Sequence, residues 1–289
     1  MAETYDRTRG DTGNIVALEH VNVTIPDQRP ATAFYIAGMG FTRDPYVQVG
    51  LNNMWVNIGR SQCHLPNGNP QRLRGTIGIV VPDLGELAER LKKVTPWLKD
   101  TQFGFQVHAD RIEATCPWGN RFRCHAPSPE FGPADLALPY VEFEVPRGAT
   151  DGIARFYREA LGAVATIEQR GGDAVAYVDA GVFAQKLLFR EISGELPPYD
   201  GHHIQIYIAD FSGPHRLLVE RGLITEESNE HQYRFRDIVD LDSGKLLFTI
   251  EHEVRSLRNP LYARPLVNRN PAQSNNDYVR GHDAFRGTY

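Results

Sequence analysis

The sequence predicts an α+β fold built from four copies of one strand–helix–strands unit, and three observations point to it. The first is a strand-like phrase that recurs at intervals of roughly 60 residues: His20-Val-Asn-Val-Thr-Ile-Pro-Asp27, Thr76-Ile-Gly-Ile-Val-Val-Pro-Asp83, Tyr140-Val-Glu-Phe-Glu-Val-Pro-Arg147 and His203-Ile-Gln-Ile-Tyr-Ile-Ala-Asp210. Repetition at a fixed period marks one structural unit copied along the chain. The second is a helical stretch after every copy. The third is a set of short alternating runs, punctuated by Gly, Asp and Pro, that closes each unit as strands joined by tight turns.

Each element has its own local reason. After the first and third copies, Ala31-Thr-Ala-Phe-Tyr35 runs to Gly38-Met-Gly40 and Gly152-Ile-Ala-Arg-Phe-Tyr157 runs to Leu161-Gly162. An aromatic pair followed by a glycine exit fits an amphipathic helix packed on a sheet, with the glycine taking the left-handed cap. After the second and fourth copies, residues 84–91 and 214–222 keep a helical period, the fourth again stopping at glycine. Later strands are expected at 54–58 and 61–65, at 103–107, 111–115 and 121–125, at 174–179 and 185–190, and at 232–239 and 246–253. A second echo, Gln62-Cys-His-Leu-Pro66 against Arg123-Cys-His-Ala-Pro127, sets His64 and His125 at corresponding points.

The expected division is an arm over 1–14, an N-terminal domain of units one and two over 15–127, a linker over 128–137, a C-terminal domain of units three and four over 138–255, and a tail over 256–289. The linker is rich in Pro and small residues, and the tail is Asn-, Arg- and Pro-rich without a period.

Composition excludes several classes of function. The 289 residues carry a net charge of -5 with both signs mixed, so no basic face for nucleic acid is expected. No apolar run approaches the ~18 residues of a membrane span, and the polar start lacks the apolar stretch of a signal peptide, which predicts a cytoplasmic protein without a membrane partner. The three cysteines, Cys63, Cys116 and Cys124, match neither a disulfide framework nor a zinc knuckle and read as buried reduced thiols.

The repeated unit, the His-x-x-x-x-x-Pro-Asp phrase, the Phe-Tyr-then-Gly helix and the Pro117-Trp-Gly-Asn120 turn before a final strand resemble the vicinal oxygen chelate superfamily, which includes glyoxalase I, extradiol dioxygenases and bleomycin-resistance proteins. The resemblance implies four βαβββ units paired into two cup-shaped mixed-sheet domains, with a divalent metal in a cup. The metal is held by first-strand histidines and a last-strand carboxylate. The first-strand position falls on His20, Thr76, Tyr140 and His203. The last-strand position falls on Arg123 in unit two, which cannot bind a cation, and on Glu251 or Glu253 in unit four, where an insertion at 240–244 shifts the register.

The C-terminal cup, of units three and four, is favoured because its relevant face is more polar, while Thr76 is a poor ligand and Arg123 brings positive charge to the N-terminal cup. Strand alternation puts Tyr140, Glu142 and Glu144 on one face and His203, Gln205 and Tyr207 on another. The expected metal ligands are His203, Glu251 and Glu142, with Tyr140 as the strict alternative to Glu142. Tyr140, Tyr207, His231 and Tyr233 are the expected catalytic residues, with Arg234 beside them as an anchor for an anion. The alternative is an N-terminal site of His20, His64 and His125. The implied cofactor is a divalent metal, ferrous iron first and manganese, zinc or nickel as alternatives. The implied activity is that of a metal-dependent, dioxygenase-like enzyme of ring-cleaving type acting on a small oxygen-bearing substrate. The alternatives are a glyoxalase-like lyase, isomerase or epimerase, and a metal-free binding protein walled by Trp55, Trp118 and tyrosines. One histidine with two oxygen ligands departs from the two-His, one-carboxylate triad. A homo-oligomer is left open.

Overall fold

The computed structural model describes residues 5–44, 47, 50, 52–181, 184–264 and 266. Most of the expected tail, from 265 onward except 266, lies outside the described residues, as do residues 1–4 of the arm.

Each copy of the phrase is the first strand of a βαβββ unit. Unit one comprises β1 (Ile15–Asn22), α1 (Gln28–Ala31) running on into a π-helical turn (Thr32–Gly38), β2 (Thr42–Arg43), β3 (Asn53–Ile58) and β4 (Ser61–Pro66). Unit two has β5 (Gly75–Val80), α2 (Leu84–Leu98), β6 (Gly104–Val107), β7 (Arg111–Thr115) and β8 (Arg121–His125). In unit three β9 (Ala137–Pro146) precedes α3 (Thr150–Leu161), β10 (Ala165–Arg170), β11 (Asp173–Asp179) and β12 (Lys186–Ile192). Unit four is β13 (His203–Ile208), α4 (Ser212–Glu220), β14 (Ile224–Asn229), β15 (Gln232–Val239) and β16 (Leu246–Ser256). Helix α3 buries Ile153, Phe156, Tyr157, Ala160 and Leu161, the apolar stripe its period requires, and ends on Gly162 in the left-handed conformation. α1 and α2 start on the aspartates that close their phrases, Asp27 and Asp83, whose carboxylates accept from the backbone of Arg29 and Glu86.

The units pair otherwise than expected. One eight-stranded sheet runs β14-β15-β16-β13-β1-β4-β3-β2 and joins unit four to unit one; the other runs β10-β11-β12-β9-β5-β8-β7-β6 and joins unit three to unit two. In each sheet the two first strands meet antiparallel at the centre, β1 on β13 and β5 on β9, and each pairs on its other side with the last strand of its own unit in parallel. The two centres are therefore built alike, each around a local two-fold axis.

The helical faces follow the other pairing. Phe34 of unit one packs on Phe103 and Phe122 of unit two, while Phe156 of unit three packs on Phe235 of unit four, and Phe143 on Phe248. Sheets thus tie one to four and two to three, and aromatic packing ties one to two and three to four. One large apolar core joins all four units, beside a small cluster of Tyr140, Val175 and Leu188. Gln185 fastens the sheets to each other: its amide nitrogen donates to Leu18 O at 2.9 Å, Ser61 Oγ at 3.0 Å and Leu138 O at 3.0 Å, and its oxygen accepts from Leu18 N.

The three cysteines are buried and free. Among the described residues no helix is long and apolar enough to cross a membrane.

Candidate metal centre

Because β1 and β13 are neighbours, the histidines of the first and fourth phrases share one concave surface. Register places the side chains in two adjacent rows across the sheet. One row reads Glu253, Gln205, His20, Gln62; the next reads Glu251, His203, Asn22, His64. The two-fold axis exchanges the rows, so that His20 corresponds to His203 and His64 to Glu253.

His20, His203 and Glu253 are all buried, and each offers a ligand atom within 4.8 Å of the others. No other such cluster of His, Cys, Asp and Glu is present among the described residues. His203 Nε2 lies 3.7 Å from Glu253 Oε2. Nε2 of His20 and Nε2 of His203 are buried without a hydrogen-bond partner. Two orphaned imidazole nitrogens beside a carboxylate are costly in a protein interior, and a divalent cation is a group that satisfies all three. The donor set fits a divalent metal of the kind that the sequence resemblance implies.

The surrounding charges orient this set. A bulge in β1 between Leu18 and His20 turns Glu19 into the same cavity as His20. Glu19 Oε2 lies 3.2 Å from His20 Nδ1. An ionised carboxylate only accepts, so Nδ1 carries the proton and Nε2 presents its lone pair to the cup. Burial alone would raise the pKa of Glu19, but the His20 hydrogen bond and the Arg255 charge outweigh it and hold the carboxyl below its usual range. Arg255 reaches Glu19 Oε2 at 3.2 Å and Glu253 Oε1 at 2.5 Å. Arg234 bridges Glu253 and Glu251. Burial works against the charge of Glu253 as well, yet Arg255, His20, Arg234 and His203 keep its pKa at about 2. For His203, desolvation dominates and pushes the imidazole down to about 3, leaving it neutral as a ligand must be.

His64 stands beside the trio. Its ring stacks on Trp55 at 3.8 Å and lies 5.7 Å from the His20 ring, and its Nε2 donates to Asn53 Oδ1 at 2.8 Å. Burial, then the neighbouring His20 and His203, push its pKa well below the ordinary value. The cavity above has a volume of about 540 Å³ and is walled by Trp55, His231, Asn259, Pro260, Leu261 and Arg264, among others. Arg264 is fixed by a buried ion pair with Asp44 at 2.9 Å.

The expected site residues are divided between the two sheets. His203 and Glu251 are neighbours, with Nδ1 and Oε1 3.7 Å apart, but Glu251 lies outside the three-residue cluster and accepts from Arg234 at 2.5 Å. Glu142 and Tyr140 belong to the other sheet and do not share a cavity with His203, because unit three pairs with unit two. Tyr207 is buried and donates to Glu19 Oε1 at 3.3 Å, which places it behind the site rather than in it. Tyr233 packs on Phe211 and His215 against the helix side. His231 does line the cavity, with its ring 3.3 Å from Glu230. In the alternative set, His20 and His64 come together and His125 lies in the other cup. Sequence reasoning set aside the pair His20 and His203; their identity at the same place in the first and last phrases was the available signal. Nothing local distinguishes Glu253 from Glu251, which share a face; the register against β13 does.

No protein-family model and no curated protein matches this sequence. Solved structures do. Glyoxalase I from Zea mays superposes with a TM-score of 0.59 at 14% identity, covering 87% of this chain and 95% of that one. A Bacillus subtilis protein provisionally named a dioxygenase gives a TM-score of 0.58 at 13% identity over 92% of this chain and 90% of its own. At such identities the likeness is one of fold alone.

Proposed function

We propose that this protein is a metal-dependent enzyme of the vicinal oxygen chelate type, acting on a small oxygen-bearing substrate, with its metal on His20, His203 and Glu253. The convergence of these three buried side chains carries the reading. Two imidazoles and one carboxylate form the donor set of non-haem ferrous oxygenases, which favours dioxygenase chemistry and iron. Such an ion, when bound, would supply Lewis acidity toward substrate oxygens and, as ferrous iron, redox capacity toward dioxygen.

The protein's own groups have separable tasks. Glu19 holds His20 in the ligating tautomer. Arg255 and Arg234 keep Glu253 ionised. With Nε2 of His64 donating to Asn53, Nδ1 is the atom that would take a proton from a substrate hydroxyl, while the Trp55 wall excludes water and lies against a planar substrate. A second reading is favoured by the symmetry: His64 stands where the two-fold axis sends Glu253, and would serve there as the base that isomerisation of an enolisable carbonyl needs. Glyoxalase I from Zea mays shares the fold.

The test is metal analysis of protein purified without chelator, followed by oxygen uptake with catechols and by hemithioacetal isomerisation. One equivalent of iron, lost in His20→Ala and His203→Ala, together with catechol-dependent oxygen uptake, is the expected result. Zinc or nickel with isomerase activity selects the second reading. No metal, and no change in melting temperature on adding iron, zinc, nickel or manganese, overturns both in favour of a metal-free binding protein.

A further inference from the structure

The cup of units two and three is built on the same plan but with different chemistry. Its rows read Leu188, Glu142, Thr76, Arg121 and Lys186, Tyr140, Gly78, Arg123. Thr76 and Tyr140 stand where the first cup has His20 and His203, Leu188 replaces Glu253, and Arg123 replaces His64. The Tyr140 ring lies flat over Gly78, where a Cβ would meet it at 2.4 Å, so the floor is closed. Where the first cup gathers ligands for a cation, this one gathers guanidinium groups.

Above the floor is a cavity of about 640 Å³ with four arginines, Arg111, Arg123, Arg170 and Arg190, against three carboxylates. Three of the arginines converge on Glu142, whose side chain is 4% exposed: Arg190 Nε at 3.2 Å, Arg170 Nη1 at 3.8 Å and Arg123 Nη1 at 3.9 Å. Arg190 is also held by Glu144 at 3.3 Å and Asp173 at 3.4 Å, and Arg123 approaches Glu113 at 3.6 Å, whereas the contacts of Arg123 and Arg170 with Glu142 are long enough for both to turn to an anion in the cavity. Arg170 remains 55% exposed at its rim. The opposite wall is aromatic. Phe131 packs on His125 at 4.6 Å, and His125 Nε2 is 2.8 Å from Tyr140 Oη. A smaller adjoining cavity of about 230 Å³ shares Arg170, His125 and Phe131 and continues between Tyr140, Tyr177 and Leu188.

We propose that this second cup binds a small aromatic carboxylate, its anion on Arg123 and Arg170 and its ring between Phe131 and Tyr140. The site is separate from the metal centre and does not depend on the reading of that centre. A fixed guanidinium, that of Arg123, stands where the first cup has His64, so the ligand is bound without being activated.

Benzoate is the probe, titrated calorimetrically into the full-length protein at constant ionic strength, with acetate in parallel. The expected result is saturable one-site binding, weakened about tenfold or more in Arg170→Leu and for acetate, and unchanged in His203→Ala. Arg170→Leu is the decisive variant because its exposed side chain is dispensable for folding; Arg123→Leu, checked by circular dichroism for folding, is expected to abolish binding. Absence of saturable binding overturns the proposal, as does equal affinity in Arg170→Leu, equal affinity for acetate, or loss of binding in His203→Ala.

Discussion

Replacing Glu253 by Gln separates the metal centre from its supporting charges. The side chain is 4% exposed and stands between two guanidinium groups, Arg255 and Arg234. Breaking a buried ion pair from one side costs about 3–5 kcal/mol. Here each arginine retains a second carboxylate, Glu19 for Arg255 and Glu251 for Arg234, so the lower end, about 3 kcal/mol, is expected for chelator-treated protein. In a chain of this size that corresponds to a fall in Tm of about 6–12 °C. Metal added at about a hundred times its Kd stabilises a binding-competent protein by roughly 2.7 kcal/mol, and this increment is expected to vanish in the variant. Differential scanning fluorimetry with and without metal reads both effects. The matching control is Glu142→Gln, which removes an equally buried carboxylate from among arginines in the other cup. That control is expected to lose comparable stability and keep the metal response. If Glu253→Gln melts within about 2 °C of the parent and still responds to metal, the assignment of Glu253 is refuted.

Glu19→Ala is expected to weaken metal binding by about 10–100-fold, measured by competition with a chelator, because His20 loses the acceptor that fixes its tautomer; unchanged affinity would remove Glu19 from the centre. Tyr157→Phe deletes the hydroxyl 2.6 Å from buried His252 Nε2 and is expected to cost about 1–3 kcal/mol in urea unfolding, with no change in metal content. His125, pushed from 6.5 to about 4 by burial and then by Arg123, binds its proton more readily in the unfolded chain. Its contribution therefore makes stability fall as pH drops from about 6.5 to about 4, and His125→Gln is expected to flatten that part of the Tm-against-pH profile. An identical slope in the variant would show that folding does not lower the pKa of His125.

The repeat, the four helices and most strands were legible because each rests on local chemistry: alternation, a capping aspartate, a glycine exit. Pairing of the units was not. The four first strands carry nearly the same apolar alternation, so β1 is as able to lie against β5 as against β13, and only tertiary packing decides. That single ambiguity propagated into the site. With units three and four assumed partners, Glu142 was drawn toward His203 and His20 was left without a mate. Once β1 and β13 are adjacent, the first-strand and last-strand positions bring together two histidines and a carboxylate. The choice between Glu251 and Glu253 needed the register across β13 and β16, which the turn at 240–244 hides from a reading of spacing alone.

The crossed ties between sheets and helical faces mean that this chain has no place at which it can be divided into two self-sufficient halves. A fragment ending after unit two would carry α1 and α2 over a shared core, but β1 and β5 would each present a bare hydrogen-bonding edge, an invitation to aggregate. His20 emerges early from the ribosome and must wait for His203 and Glu253; at about 5–20 residues per second the delay is on the order of ten seconds or more. On the proposed assignment, metal loading would follow completed synthesis, and two halves expressed separately should bring His20 and His203 together only by reassociating along β1 and β13.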